Sequence, residues 1–316
     1  MLDSDEPKKK TLYTITLSDT EMAALQRWCD KHLFLAYEVA YARFAFKGDD
    51  VNIVGYQSGK LVVQGKKTED FVHYVLESEI TKTPQMGYEQ VLHPEWFEAH
   101  AGLDESGKGD LFGPLVSACV IADEDAVNLW LEKGLKESKR IGSDNIALGM
   151  DKMIRETEGV VAISFYLGME KYNELYQRFH SNLNHLLAWM HARALEEALK
   201  KRSVPWGMLD QFTKQPLVQR YFKGPSDFDL RMQTKAEADP VVAAASIVAR
   251  AEYIRQMRKL SKIFGEALLK GASAQVKEQG RAVVAKLGKE AFGQFAKLHF
   301  KTAYEVLGLP VPEKEK

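Results

Sequence analysis

Two adjacent carboxylates, Asp104 and Glu105, close an apolar run, and a Gly107-Lys108-Gly109 turn follows them. Clustered carboxylates repel one another, which raises their proton affinity unless a cation sits between them. Only oxygen ligands are on offer in this stretch, a set suited to Mg²⁺ or Mn²⁺ rather than zinc. Glycines let a backbone approach a ligand and turn its N–H groups outward. Neighbouring strand residues point to opposite faces, so both carboxylates reach one site only if the strand bends there. On this segment alone, a solvated acidic turn explains the residues equally well.

Asp210 shifts the balance. It ends the apolar run Trp206–Leu209, where a carboxylate needs a reason. Glu237 follows, just ahead of the Ala-rich stretch Val241–Arg250, whose small side chains permit close packing on a sheet. Four carboxylates from separate elements could converge on two metal ions, activating water and stabilising the leaving oxygen of a phosphodiester.

These residues must be positioned by a chain of 316 residues, enough for about two domains. Lys+Arg number 43 and Asp+Glu 44, so overall charge points to no polyanionic partner. Residues 1–82 form the expected first domain, an order of strand, helix, three or more strands and helix. Leu12–Leu17 alternates, Ser18 and Glu21 have capping-box spacing, and Arg43–Lys47, Val51–Tyr56 and Lys60–Gln64 read as strands. Thr68–Glu79 reads as the closing helix. Residues 83–99, with Thr83-Pro84, Met86-Gly87 and His93-Pro94, read as a linker.

Residues 100–316 read as the second domain, a mixed sheet flanked by helices. Ala101–Asp104 and Leu115–Ala122 are expected as strands joined by the Gly-rich turn. Val160–Tyr166, Trp206–Leu209 and Phe228–Met232 are further strands. Asp125–Lys133, Ser143–Glu158 and Asn184–Lys200 are helices, and everything after Asp239-Pro240 is expected to be helical.

Cys29 and Cys119 sit in apolar stretches and read as buried, inert thiols; two cysteines make neither a disulfide framework nor a four-thiolate zinc site. The longest nearly apolar runs fall far short of a membrane span, and the charged N-terminus lacks the apolar segment of a secretory signal. A soluble, cytoplasmic protein is expected. His180, His185 and His191 lack zinc-ligand spacing, and His299 in the tail reads as a packed or surface residue.

Taken together, the motifs resemble the type 2 ribonucleases H. The resemblance rests on Asp104-Glu105-Ser106-Gly107-Lys108-Gly109 with Phe112-Gly113-Pro114, on Asp210, and on Ala243–Arg250. Gly-Lys-Gly, together with a Glu at 237, is similar to the ribonuclease HIII branch in particular. Tyr172–Leu175, Asn182–Asn184 and Lys297–Thr302 add to it. Tyr56–Lys60 and Gln64–Lys66 are similar to that branch's TATA-box-binding-protein-like domain.

The resemblance implies an α/β fold: an RNase H-like mixed sheet flanked by helices, preceded by a small α+β domain. It implies an endonuclease acting on the RNA strand of RNA/DNA hybrids, with Asp104, Glu105, Asp210 and Glu237 holding two Mg²⁺ or Mn²⁺ ions. Gly107, Lys108 and Gly109 would meet the substrate near a 2′-hydroxyl, the group that tells RNA from DNA. Ser138 and Lys139, in Glu137-Ser138-Lys139 where the family commonly has Asp-Ser-Lys, are expected to touch substrate. Asp239 is the nearest alternative to Glu237 as a ligand. Tyr56, Lys60 and Lys66 are candidate backbone contacts on the small domain, although acidic residues slightly outnumber basic ones in residues 1–82. A monomer is expected. The competing functions are incision at single ribonucleotides in duplex DNA, a nucleotide-dependent kinase or phosphatase (against which the lack of a P-loop speaks), and a hybrid-binding protein without activity.

Overall fold

The computed structural model describes residues 11–83, 93–133, 135, 143–234 and 236–311. They divide into two units between Glu95 and Trp96.

The first unit is an antiparallel sheet of β1 (Leu12–Thr16), β2 (Leu35–Ala36), β3 (Ala42–Gly48), β4 (Val51–Tyr56) and β5 (Lys60–Gln64), in the order β1-β5-β4-β3-β2. Helix α1 (Asp19–Lys31) starts at the Ser18–Glu21 capping box. It buries Met22, Leu25 and Cys29 against Phe46, Ile53, Leu61 and Val63 of the sheet. The closing segment differs from a plain α-helix. One α-turn, α2 (Thr68–Phe71), runs into a π-helix over Val72–Thr81. Phe71, Val72, Val75 and Leu76 all turn into the core there.

The second unit holds a mixed sheet in the order β10-β9-β6-β7-β8. In chain order its elements are β6 (His100–Ser106), β7 (Val116–Ala122), α3 (Glu124–Glu132), α4 (Asp144–Glu156) and β8 (Val161–Tyr166). Then come α5 (Met169–Arg178), α6 (Leu183–Lys201), β9 (Trp206–Asp210), α7 (Leu217–Tyr221) and β10 (Asp229–Gln233). Helices α8 (Pro240–Phe264), α9 (Ala274–Leu287) and α10 (Lys301–Leu307) end it. β6, β7 and β8 are antiparallel, whereas β9 and β10 run parallel to β6.

Strand alternation divides the core. Val116, Ala118 and Val120 of β7 pack with α8, while Leu103, Cys119 and Ile121 pack with α6. Helix α8 lies so close to β6 that a Cβ on Gly102 would come within 2.4 Å of the Val241 carbonyl carbon and the Val242 nitrogen. The Ala-rich sequence of α8 is what allows that approach.

The C-terminal region is less helical than expected. Residues 265–273 and most of 288–300 are irregular. Gly265 (φ +96°) and Gly288 (φ +88°) are the reason, since each breaks its helix with backbone geometry that side chains resist. Lys297 and His299 consequently lie ahead of α10 rather than in a helix. Both cysteines are buried as expected. Burial pushes the Cys29 thiol up to about 12, with Asp30 adding to it, and pushes Cys119 up as well. Among the described residues, no helix is long and apolar enough to cross a membrane.

Candidate active site

The parallel pairing of β6 with β9 places Leu103 opposite Leu209. The next residues, Asp104 and Asp210, therefore stand side by side at the carboxyl ends of two parallel strands, the usual end for a ligand in such sheets. β10 pairs Gln233 with Asp210 and then delivers the short 3₁₀ turn Ala236–Ala238 to the same end. The Ala236 N–H donates to Asp210 Oδ1 at 3.3 Å, which fixes that turn, and Glu237 with it, beside Asp210. Glu237 Oε2 is buried without a hydrogen-bond partner.

A cleft of about 440 Å³ opens here, lined by Asp104, Glu105, Lys108, Asp110 and Asp210 among others. β6 keeps its register with β7 through Ser106 without a bulge, so Asp104 and Glu105 stay on opposite faces. Asp104 belongs to the α8 face of the sheet, and its Oδ1 accepts the Glu105 N–H at 2.7 Å. Glu105 belongs to the α6 face, where His191 Nε2 lies 3.2 Å from Oε2 and Lys108 Nζ 3.3 Å from Oε1. Burial pushes the Glu105 carboxyl up, but His191 and then Lys108 outweigh it and hold the group below the usual carboxylate range. Among the described residues no three Asp, Glu, His or Cys side chains are gathered closely enough to hold a metal ion as they stand. The donor set nonetheless fits a hard divalent cation. It is all carboxylate oxygen, and Glu237 supplies a buried oxygen with nothing to accept from.

Asp239, the alternative ligand, is committed elsewhere. It is fully buried, lies 3.0 Å from His100 Nε2, and accepts the Val241 N–H at 2.8 Å as the N-cap of α8.

The turn after β6 is held from three sides. Gly107 has φ +85°, and a Cβ there would come within 2.4 Å of the Pro114 carbonyl oxygen. Gly109 has nothing within 4 Å of that position, leaving open space over the backbone. Tyr253 Oη donates to the Phe112 carbonyl, and Asp110 Oδ1 accepts the Gly271 N–H. Lys297, fully buried, donates to the carbonyls of Asp110 and Gly113 and lies over the Tyr172 ring. Burial pushes its amine down to about 7. His299 is the packed residue expected, bonded to Tyr172 Oη at 2.9 Å and stacked on Tyr176.

Two cations of the cleft wall were not singled out as site residues from the sequence, although Arg250 closes the Ala243–Arg250 motif. Arg250 and Lys270 both line it, and both pair with Asp144 of α4, Lys270 at 2.8 Å and Arg250 at 3.5 Å. They come from α8 and from the irregular 265–273 segment, so no local spacing announces them. Ser138 and Lys139 lie outside the described residues. On the first unit, Tyr56 and Lys60 flank the β4–β5 turn, whereas Lys66 follows the far end of β5. Strand rise separates Lys60 from Gln64, the last residue of β5, by about 13 Å.

The sequence family described as Ribonuclease HII matches residues 101–303, and a domain of unknown function (DUF3378) matches residues 14–86. Ribonuclease HIII of Chlamydia caviae is 38% identical over 301 residues, covering 94% of this chain and 97% of that protein. The chain belongs to the ribonuclease HIII family. Ribonuclease HIII of Protochlamydia amoebophila is 36% identical over 275 residues, 85% of this chain and 88% of its own. Among solved structures, Bst-RNase HIII in complex with Mn²⁺ is 29% identical with a TM-score of 0.64, covering 94% of this chain and 98% of that one. Aquifex aeolicus RNase H3 is 25% identical with a TM-score of 0.54, covering 92% and 100%. Membership in the ribonuclease HIII family makes the chain an endoribonuclease of the RNase H fold.

Proposed function

We propose that this enzyme hydrolyses the RNA strand of RNA/DNA hybrids, leaving 5′-phosphate and 3′-hydroxyl ends. The observation that carries the reading is a cleft at one sheet end lined by Asp104, Glu105, Asp210 and a backbone turn open to a ligand, with Glu237, which does not itself line the cleft, on the adjacent turn held to Asp210. Asp104, Glu105, Asp210 and Glu237 would hold Mg²⁺ or Mn²⁺. When bound, two such ions supply an activated water and neutralise the departing 3′ oxygen.

The chain's own groups do the rest. The turn at Gly107 and Gly109 brings backbone against the sugar-phosphate near a 2′-hydroxyl, because no side chain stands in the way at Gly109. Lys108 exchanges Glu105 for a substrate phosphate. Arg250 and Lys270, braced by one shared carboxylate, keep a net positive wall that orients the strand. Ser138 and Lys139 would touch substrate as well. Tyr56, Lys60 and Lys66 contact the hybrid backbone from the small domain, spaced to reach more than one phosphate. The same reading takes the enzyme to act as a cytoplasmic monomer.

The test is a gel assay of the purified protein with Mg²⁺ and then Mn²⁺, on a continuous RNA/DNA hybrid, a duplex with one embedded ribonucleotide, and all-DNA. Multiple cuts in the hybrid RNA with little at the single ribonucleotide is the expected result. Cutting chiefly at the single ribonucleotide moves the function to that activity. No cutting with either metal refutes the catalytic reading.

A further inference from the structure

Ser117 is the one polar residue of β7, a strand buried along its whole length. It is the direct cross-strand partner of Glu105, so both side chains share the α6 face of the sheet. His191 comes down on them from α6, on the same helical face as Leu187 and Ala194. Neither Ser117 nor His191 exposes any surface. The Ser117 hydroxyl lies 2.7 Å from His191 Nδ1, and His191 Nε2 lies 3.2 Å from Glu105 Oε2. Phe212 stacks on the imidazole at 5.7 Å and 29°, which limits its rotation.

The direction of the bond to Glu105 follows from chemistry. An ionised carboxylate can only accept, so Nε2 carries the proton and donates to Glu105. The serine hydroxyl meets Nδ1 on the other side of the ring. A buried histidine needed only for packing could be satisfied by backbone. This one is aimed, through a chain spanning β7, α6 and β6, at a carboxylate that lines the cleft. Oε2 is thereby tied to the protein, and Oε1 is left to Lys108, a residue of the cleft lining.

We propose that His191, oriented by Ser117, is a positioning residue that fixes the Glu105 carboxylate so that its Oε1 is presented to a divalent cation. The inference rests on Glu105 being a metal ligand, and the experiment separates the two. Hydrogen-bond partners of ligating carboxylates hold ligand geometry, and losing one typically costs about 10- to 100-fold in metal affinity or activity. Mn²⁺ binding to the full-length protein is measured by calorimetry and by electron paramagnetic resonance, with hybrid affinity in metal-free buffer and melting temperature alongside.

His191→Ala is expected to weaken Mn²⁺ binding about 10- to 100-fold while leaving metal-free hybrid affinity unchanged. His191→Gln, whose amide can still donate to Glu105, is expected to recover most of the loss. Ser117→Ala should weaken Mn²⁺ binding several-fold by releasing the ring. Wild-type Mn²⁺ affinity in Glu105→Gln would overturn the ligand role of Glu105 itself. Loss in Glu105→Gln with wild-type affinity in a folded His191→Ala overturns the positioning role alone. If His191→Ala does not fold, the other two variants decide. Gln binding Mn²⁺ near the wild-type level with Ser117→Ala weakened supports the proposal, and any other pattern overturns it.

Discussion

Replacing Lys297 by Met tests how the Gly-rich turn is held. Met fills the volume of the lysine stem but donates nothing, so the carbonyls of Asp110 and Gly113 lose their buried partner. Stranding a buried acceptor costs roughly 1–3 kcal/mol each. A pH signature separates this loss from simple repacking. Burial lowers the amine from 10.5 to about 7 in the folded protein. Between these values the unfolded chain binds a proton that the native state has released, so stability rises with pH. Below pH 7 both states are protonated, and the gradient vanishes. Integrated from pH 7 to pH 9, the wild type gains about 2 kcal/mol that Lys297→Met does not. The neutral amine still has two N–H groups for its two carbonyls, so the clamp survives deprotonation. Urea unfolding of both proteins at pH 7, 8 and 9 measures the difference. The gap between wild type and variant should widen by about 2 kcal/mol across that range. A gap that is flat, or that narrows as pH rises, would refute the reasoning.

Gly102→Ala should destabilise the second unit by roughly 1–3 kcal/mol or more, because the new methyl meets α8 backbone at 2.4 Å and neither partner can yield as a flexible side chain would; chemical denaturation reads it, and an unchanged midpoint would contradict the packing. Lys270→Ala should raise KM for a hybrid several-fold with kcat little changed, since the role proposed for this cleft-lining lysine is at a substrate phosphate and not at the reacting atoms; a loss confined to kcat would remove it from substrate binding. Deleting residues 1–82 should weaken hybrid binding far more than it slows single-turnover cleavage at saturating enzyme, and equal losses in both would deny the small domain a purely binding role.

Elements with strong local signals were legible in the sequence. The Ser18–Glu21 box starts α1, Asp210 ends β9, and the apolar run of β7 is fully buried. The missed features depend on distant residues. β2 is two residues long and exists only through pairing with β3, so it has no periodicity to read. Gly265 and Gly288 were visible stop signals in a stretch read as helical throughout. Asp104 and Glu105 keep opposite faces because the β6 register is unbroken, and both nonetheless line the cleft at the strand end. His191 looked like an unremarkable histidine by spacing; its place on the apolar face of α6, opposite a lone serine in a buried strand, was the available clue. Arg250 and Lys270 share Asp144, which lies more than a hundred residues earlier in the chain.

The most direct test of the account is Asp210→Asn, in which one oxygen at the junction of β9, β6 and the Glu237 turn is replaced by an amide. Single-turnover cleavage of a labelled hybrid is followed at saturating enzyme with Mn²⁺, and binding is followed by fluorescence anisotropy. The account predicts a loss of cleavage on the order of a thousandfold or more, with hybrid affinity within a few-fold of wild type. Near-normal cleavage would contradict the assignment of this cleft as the catalytic centre.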